Sequence, residues 1–256
     1  MVRLICYNIE YCEGIVGKWY QYLEFWKTLH APKQLKLELV LALKRMNPDI
    51  LALVEVDTGS IRAGLKDEVE FISHELKMNN FIEKIKYPIS GWLKLFHYVP
   101  ILDKQANAVI SKYDFSDVKY HVFHEGTKRM VIEVTINCPK PVTLLIAHLA
   151  LGKSARAAQI KELINIVNGI SNPVILMGDF NTFNGEAEIE ELLAKTHLND
   201  KISLDLEDVH LTEPAWHPSK RLDYILNSSK IKINKYNVLK FPYSDHLPLM
   251  IDFEIK

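Results

Sequence analysis

Nine side chains in this sequence are of the kinds that bind a cation or move a proton, and each stands at or near the end of an apolar run. Gly178-Asp179-Phe180-Asn181 follows Val174-Ile175-Leu176-Met177 and sets a carboxylate and an amide two residues apart, hence on one side of an extended segment. Asn8 and Glu10 repeat that arrangement after Leu4-Ile5-Cys6-Tyr7. Glu55 follows the run from Ile50 to Val54, and His148 follows Val142 to Ala147. Asp223 sits at the start of a short strand pattern, and Asp245-His246 stand before Leu249 to Ile255. Any one of them is what an ordinary strand-to-loop turn carries, because Gly, Asp and Asn are turn formers. Their recurrence along the chain is what sets them apart.

Residues separated by tens of positions meet only if the ends of their strands converge. Carboxylates gathered in that way repel one another unless a cation sits among them. An oxygen-rich donor set without a Cys-x-x-Cys pair suits a hard divalent ion, Mg²⁺ or Mn²⁺, better than Zn²⁺. A hard cation among acids and two histidines is equipment for attack on phosphorus. The metal neutralises phosphate oxygens, a carboxylate activates water, and a histidine stabilises charge or protonates the leaving oxygen.

The elements that must position these groups are legible as periodicities. Leu35, Leu39, Ala42, Leu43 and Met46 recur at helical spacing before Asn47-Pro48, and Ile160, Leu163, Ile164 and Val167 do so again. Val69, Ile72 and Leu76 predict a further helix, as do Ile189, Leu192 and Leu193. Continuous apolar strands between helices imply a sheet covered by helices, whereas alternation over Met130 to Ile136 fits antiparallel pairing. Two aromatic segments, 19–26 and 92–98, read as core packing and as a surface loop, with a stacking or lipid-facing substrate platform as the alternative.

The 256 residues show no linker, low-complexity tract or repeat, so residues 1–256 are expected to form one domain. Lys plus Arg number 31 against 32 for Asp plus Glu, which argues against a binder that grips nucleic acid by charge alone. Cys6, Cys12 and Cys138 suit neither a disulfide framework nor a zinc site. Neither a leader pattern nor a membrane-spanning run is present, and a soluble cytoplasmic protein is the expectation.

The motifs in order resemble the endonuclease/exonuclease/phosphatase superfamily, the DNase I-like fold. They are Tyr7-Asn8-Ile9-Glu10, Pro48-Asp49-Ile50-Leu51-Ala52-Leu53-Val54-Glu55, Asn107-Ala108-Val109-Ile110-Ser111, Ala147-His148-Leu149, Gly178-Asp179-Phe180-Asn181, Arg221-Leu222-Asp223-Tyr224-Ile225 and Ser244-Asp245-His246. The resemblance implies a four-layered α/β sandwich, two mixed β-sheets face to face with helices outside. It also implies that Glu55 is the principal metal ligand, with Glu10 and Asp245 nearby. Asp179 would orient or deprotonate the attacking water, and Asn181 and Asn8 would position it or the phosphate. His246, held by Asp223, would contact the phosphoryl oxygen, and His148 would add charge stabilisation. Glu10 stands where many nucleases of the family have Asp.

A shared chemistry does not fix a substrate. The first expectation is a nuclease acting on nucleic-acid phosphodiesters. A lipid or inositol-phosphate phosphoesterase working at a lipid surface is the runner-up, and a non-catalytic phosphate-binding scaffold is a minor third.

Overall fold

A computed structural model describes residues 1–12, 33–60, 65–85, 104–201, 210–241 and 243–256. The aromatic segments 19–26 and 92–98 lie outside these residues. In chain order the elements are β1 (Val2–Asn8), α1 (Lys33–Met46), β2 (Ile50–Asp57), α2 (Glu68–Leu76), β3 (Asn80–Ile85), β4 (Gln105–Ser111), β5 (Phe115–Val122) and β6 (Met130–Asn137). There follow β7 (Pro141–His148), α3 (Lys153–Asn168), β8 (Val174–Asp179), α4 (Glu190–Lys195), β9 (Leu198–Asn199), β10 (Asp223–Ser228), β11 (Ile231–Val238) and β12 (Leu249–Ile255).

The strands form two six-stranded sheets, ordered β11-β12-β1-β2-β4-β3 and β5-β6-β7-β8-β10-β9. Within each, one central pair is parallel, β1 with β2 and β7 with β8. The remaining pairings are antiparallel. The inner faces pack on each other through Leu4, Cys6, Ala52, Val54 and Val109 against Ile146, Met177 and Ile225. Leu39, Val40 and Leu43 of α1 and Val69 and Ile72 of α2 cover the outside of the first sheet. Ile160, Leu163 and Val167 of α3 cover the second. The α/β sandwich follows directly from which face each apolar stripe occupies.

Some elements were invisible in the sequence pattern for a physical reason. Strands β3 and β5 lie at sheet edges and are largely exposed, so their apolar pattern is faint. The edge strand β11 buries Ile231 and Ile233 at one end, while the rest of it is at least partly exposed. The alternation in β6 belongs to an antiparallel strand, but its polar face is buried too. Glu133 meets His121 Nε2 at 2.6 Å, and Thr135 Oγ1 lies 3.0 Å from Thr143 Oγ1. Cys6, Cys12 and Cys138 are buried free thiols. Among the described residues no helix is long and apolar enough to cross a membrane.

Two backbone features aim the site. On β2 the pairing with β4 slips between Leu53↔Ala108 and Val56↔Ala106, a β-bulge with Glu55 at φ 59°. Leu53 packs outward, Val54 inward and Val56 outward, so the extra residue lets Glu55 share the inner side with Val54. In an unbroken strand Glu55 would point away from the second sheet. On β8, Gly178 adopts φ 135°, and a Cβ there would lie 1.9 Å from the Ala147 carbonyl oxygen of β7. Only a glycine permits that approach. Gly178→Ala is therefore expected to destabilise the fold by about 4 kcal/mol or more, read as a lowered urea midpoint.

A titrating pair elsewhere gives a pH signature. Asp67 caps α2 by accepting from the Val69 and Glu70 amides. Burial, with the nearby Asp67 carboxylate, pushes Glu83 up to about 7. A raised carboxyl contributes full stability below its unfolded value of about 4.3 and loses it as pH rises through the folded value. Glu83→Gln should accordingly raise the Tm at about pH 8 and leave it nearly unchanged at about pH 4, measured by thermal melts across that range.

Candidate active site

The inner-face core ends, at one edge of the sandwich, in a layer of polar side chains. Register shows how: Ala147, Gly178 and Tyr224 align across β7, β8 and β10, and the next row is His148, Asp179 and Asp223. On the other sheet Asn8 aligns with Val54, and Asn107 is the β4 residue opposite the Val54–Glu55 bulge. Each continues the inner-face parity of Cys6, Val109, Ile146, Met177 and Ile225. The loop before β12 brings Asp245 and His246 to the same edge.

Asp179 is the hub. Its Oδ2 accepts from Asn8 Nδ2 at 3.1 Å across the two sheets and lies 3.3 Å from His148 Nε2. Its Oδ1 accepts from the Asn181 backbone amide at 3.0 Å. Asn181 is at φ 51°, so the chain leaves the strand here, and its Nδ2 donates to the Leu149 carbonyl at 2.9 Å. The extended geometry read from the sequence is replaced by a side-chain-closed turn. Asn8 does likewise: its Oδ1 accepts from the Glu10 amide at 3.1 Å, and Glu10, Tyr11 and Cys12 are all at positive φ. Backbone conformations of this cost gather where the surrounding structure over-determines them.

His246 Nδ1 lies 2.7 Å from Asp223 Oδ2, both side chains buried. Its Nε2 stands 3.9 Å from Asp179 Oδ2 and 3.9 Å from Asp245 Oδ1, too far for direct hydrogen bonds. On the opposite side Glu55 Oε1 lies 3.7 Å from His148 Nδ1 and 3.5 Å from Lys128 Nζ. Lys128 also makes a short contact with His148 Nε2.

Burial alone would raise the Asp179 carboxyl, but His148, with help from His246 and Lys128, holds it well below the usual carboxylate range. Burial would lower the His246 imidazole, but the charges of Asp223, Asp179 and Asp245 raise it well above its ordinary value. Asp245 is pushed up to about 6 by burial, with the charges of Glu55 and Asp179 in the same direction. Carboxylates that oppose one another in this way are what a divalent cation relieves, and their oxygens are hard donors. Asp179, Asp223 and His246 additionally present ligand atoms within 4.8 Å of one another, a group that could hold a metal ion.

All nine residues singled out in the sequence therefore lie at this edge or on the turns that build it. Three others belong with them and were not singled out individually. Lys128, between β5 and β6, reaches Glu55 and His148, and its only sequence signal is the dibasic Lys128-Arg129 before a strand. Ser244 Oγ donates to the Asn8 carbonyl at 2.7 Å, tying the Asp245-His246 loop to β1. Thr212 is wholly buried and gave no signal at all, because its role is to receive backbone amides from a distant segment.

The sequence belongs to the Endonuclease/Exonuclease/phosphatase family, whose model matches residues 8–246. No curated protein sequence matches it significantly. Among solved structures, an endonuclease/exonuclease/phosphatase from Beutenbergia cavernae DSM 12333 superposes with a TM-score of 0.73 at 16% identity, covering 99% of this chain and 71% of that one. The mannosyl-6-phosphatase of Bacteroides thetaiotaomicron VPI-5482 gives 0.71 at 14%, covering 100% of each chain. The human Nocturnin catalytic domain with bound sulfate gives 0.68 at 21%, covering 100% of this chain and 93% of that one. These likenesses establish the fold.

Thr212 supports the site from behind. Its Oγ1 accepts from the Leu222 and Asp223 amides at 3.2 and 3.3 Å, and its carbonyl accepts from the Leu247 amide at 2.9 Å. Thr212→Val keeps the shape and orphans those two amides. We expect a loss of about 1–3 kcal/mol in urea denaturation, with the loss carried by local opening around Asp223 and His246 in hydrogen exchange.

Proposed function

We propose that this protein hydrolyses phosphoric esters with the help of a divalent cation, by in-line attack of water on phosphorus, and that nucleic-acid phosphodiesters are its first substrate class. The observation that carries the reading is the Asp179 hub, a buried carboxylate held ionised between Asn8, His148 and the Asn181 amide.

A carboxylate held ionised in this way is a weak base that still accepts hydrogen bonds. Asp179 therefore orients the attacking water and takes its proton only as the phosphorus–oxygen bond forms. His246, paired with Asp223, offers a protonated Nε2 to a phosphoryl oxygen. His148 and Lys128 approach from the other side and stabilise the charge that builds on the transferring group. Asn8 and Asn181 fix the Asp179 carboxylate, which removes the reorganisation a mobile acid would need. Glu55, with Glu10 and Asp245, would hold the cation, Mg²⁺ or Mn²⁺, which when bound neutralises phosphate charge.

A second reading, phosphomonoester hydrolysis, is favoured by Lys128, which puts an extra cation where a dianionic phosphate would need it. The likeness to a mannosyl-6-phosphatase is in keeping with it. A lipid or inositol-phosphate ester, the runner-up on the sequence, comes after it. For all of them the chemistry at phosphorus is the same.

The test is hydrolysis with Mg²⁺ and with EDTA over single-stranded DNA, abasic duplex, RNA, sphingomyelin, inositol phosphates and a hexose 6-phosphate. Turnover of a nucleic acid that needs the cation supports the leading reading, and turnover of the sugar phosphate alone replaces it with the second. Asp179→Asn should lower kcat by at least about 100-fold with the circular dichroism spectrum unchanged. Lys128→Met should cost about 100-fold and should hurt a monoester more than a diester.

A further inference from the structure

Asn107 sits in the same polar layer as Asn8, His148, Asp179 and Asp223, yet differs from them in one respect. Its side chain is completely buried, and neither Oδ1 nor Nδ2 has a hydrogen-bond partner among the described residues. The other members are engaged: Asn8 with Asp179, His148 with Glu55 and Asp179, and Asp223 with His246. A buried amide left without partners opposes folding, so it persists where something outside the chain meets it.

Its position says what that something is. Asn107 lies on β4 directly opposite the β2 bulge, and the bulge exists to bring Glu55 to the inner face. The residue across the ladder from Glu55 is thus an amide turned to the same side. Val109, the next inner-face residue of β4, is packed in the core, so Asn107 marks the level at which apolar contact gives way to the site. Asn107 is fully buried, whereas Glu55 is partly exposed. A group that lies between them, gives a hydrogen bond to Oδ1 and suits a neighbouring carboxylate is a water in the hydration shell of a hard cation. Mg²⁺ in particular keeps several of its waters when protein carboxylates bind it.

We propose that Asn107 is a positioning residue for the divalent cation at Glu55, holding it from beneath through a coordinated water. The proposal rests on the cation reading given above. It assigns the β2 bulge a partner: one strand turns the carboxylate inward, and the strand beside it supplies the amide that fixes the ion's shell. Such supporting groups commonly change metal affinity by about 10–100-fold when removed.

The test is Mn²⁺ binding to the intact chain by electron paramagnetic resonance and Mg²⁺ binding by calorimetry, with thermal melts in EDTA alongside. Asn107→Leu should weaken both cations by about 10-fold or more and leave the Tm in EDTA equal to or above that of the unsubstituted protein, because an orphaned amide has been removed. Asn107→Asp should bind both cations more tightly, since a charge has been added beside the ion. Unchanged cation affinity in Asn107→Leu overturns the proposal, and so does a fall in its EDTA Tm, which would mark a purely structural amide. If Asn107→Leu does not fold, weaker or unchanged binding in Asn107→Asp overturns it. Failure of the unsubstituted protein to bind either cation would overturn the cation reading and this inference together. Binding that ignores Asn107 would overturn this inference alone.

Discussion

The site depends on one constraint, the alignment of two parallel strand pairs whose C-terminal ends face each other across the sandwich. Parallel strands end on the same side, so β1 with β2 deliver Asn8 and Glu55, and β7 with β8 deliver His148 and Asp179. The antiparallel neighbours β10 and β12 begin where those strands end, which adds Asp223, Asp245 and His246. The two sheets meet chemically in the Asn8–Asp179 hydrogen bond and in the Glu55–His148 pair. Were either pair antiparallel, one of its polar ends would lie at the far edge, and no set of side chains could reach across the core.

That arrangement carries an electrostatic cost, and the layer of cationic groups offsets it. Several carboxylates are withdrawn from water at one edge of an apolar core, and a buried charge without a partner is strongly unfavourable. His246 shields Asp223, His148 shields Asp179, and Lys128 approaches Glu55. Charge remains in excess around Asp245, which burial and its anionic neighbours push toward protonation. That excess of negative charge destabilises the site in isolation and is what a bound cation would relieve. Stability and function therefore pull against each other at these residues, while the apolar layers below hold the frame rigid.

The strained backbone positions fit this division. Gly178, Glu55 and Asn181 each depart from ordinary strand conformation, and each redirects the chain at the level where the core stops. Gly178 brings β8 against the Ala147 carbonyl, Glu55 flips the facing of its strand, and Asn181 turns the chain under the Asp179 carboxylate. In a regular strand of the same sequence Glu55 would face away from the second sheet.

The sequence by itself determined a good deal. Apolar runs between amphipathic helices implied covered sheets, and the ordered motifs implied the sandwich and the nine polar residues at strand ends. This was legible because helix faces, buried strands and turn-forming polar residues all leave local periodicities. What only the tertiary structure decided is which of those ends converge and how each side chain is aimed. The bulge at Glu55 cannot be read from Ile50 to Asp57, because it is a mismatch between two strands and not a property of either. Asn181 and Glu10 lost their extended geometry to turns closed by their own neighbours' side chains. Lys128 meets a partner 20 residues on, Thr212 receives amides 10 and 11 residues on, and Asn107 is placed by strand register, none of which leaves a trace in helical or strand spacing. The chain encodes the site's chemical parts one strand at a time, and register across two sheets makes them a site.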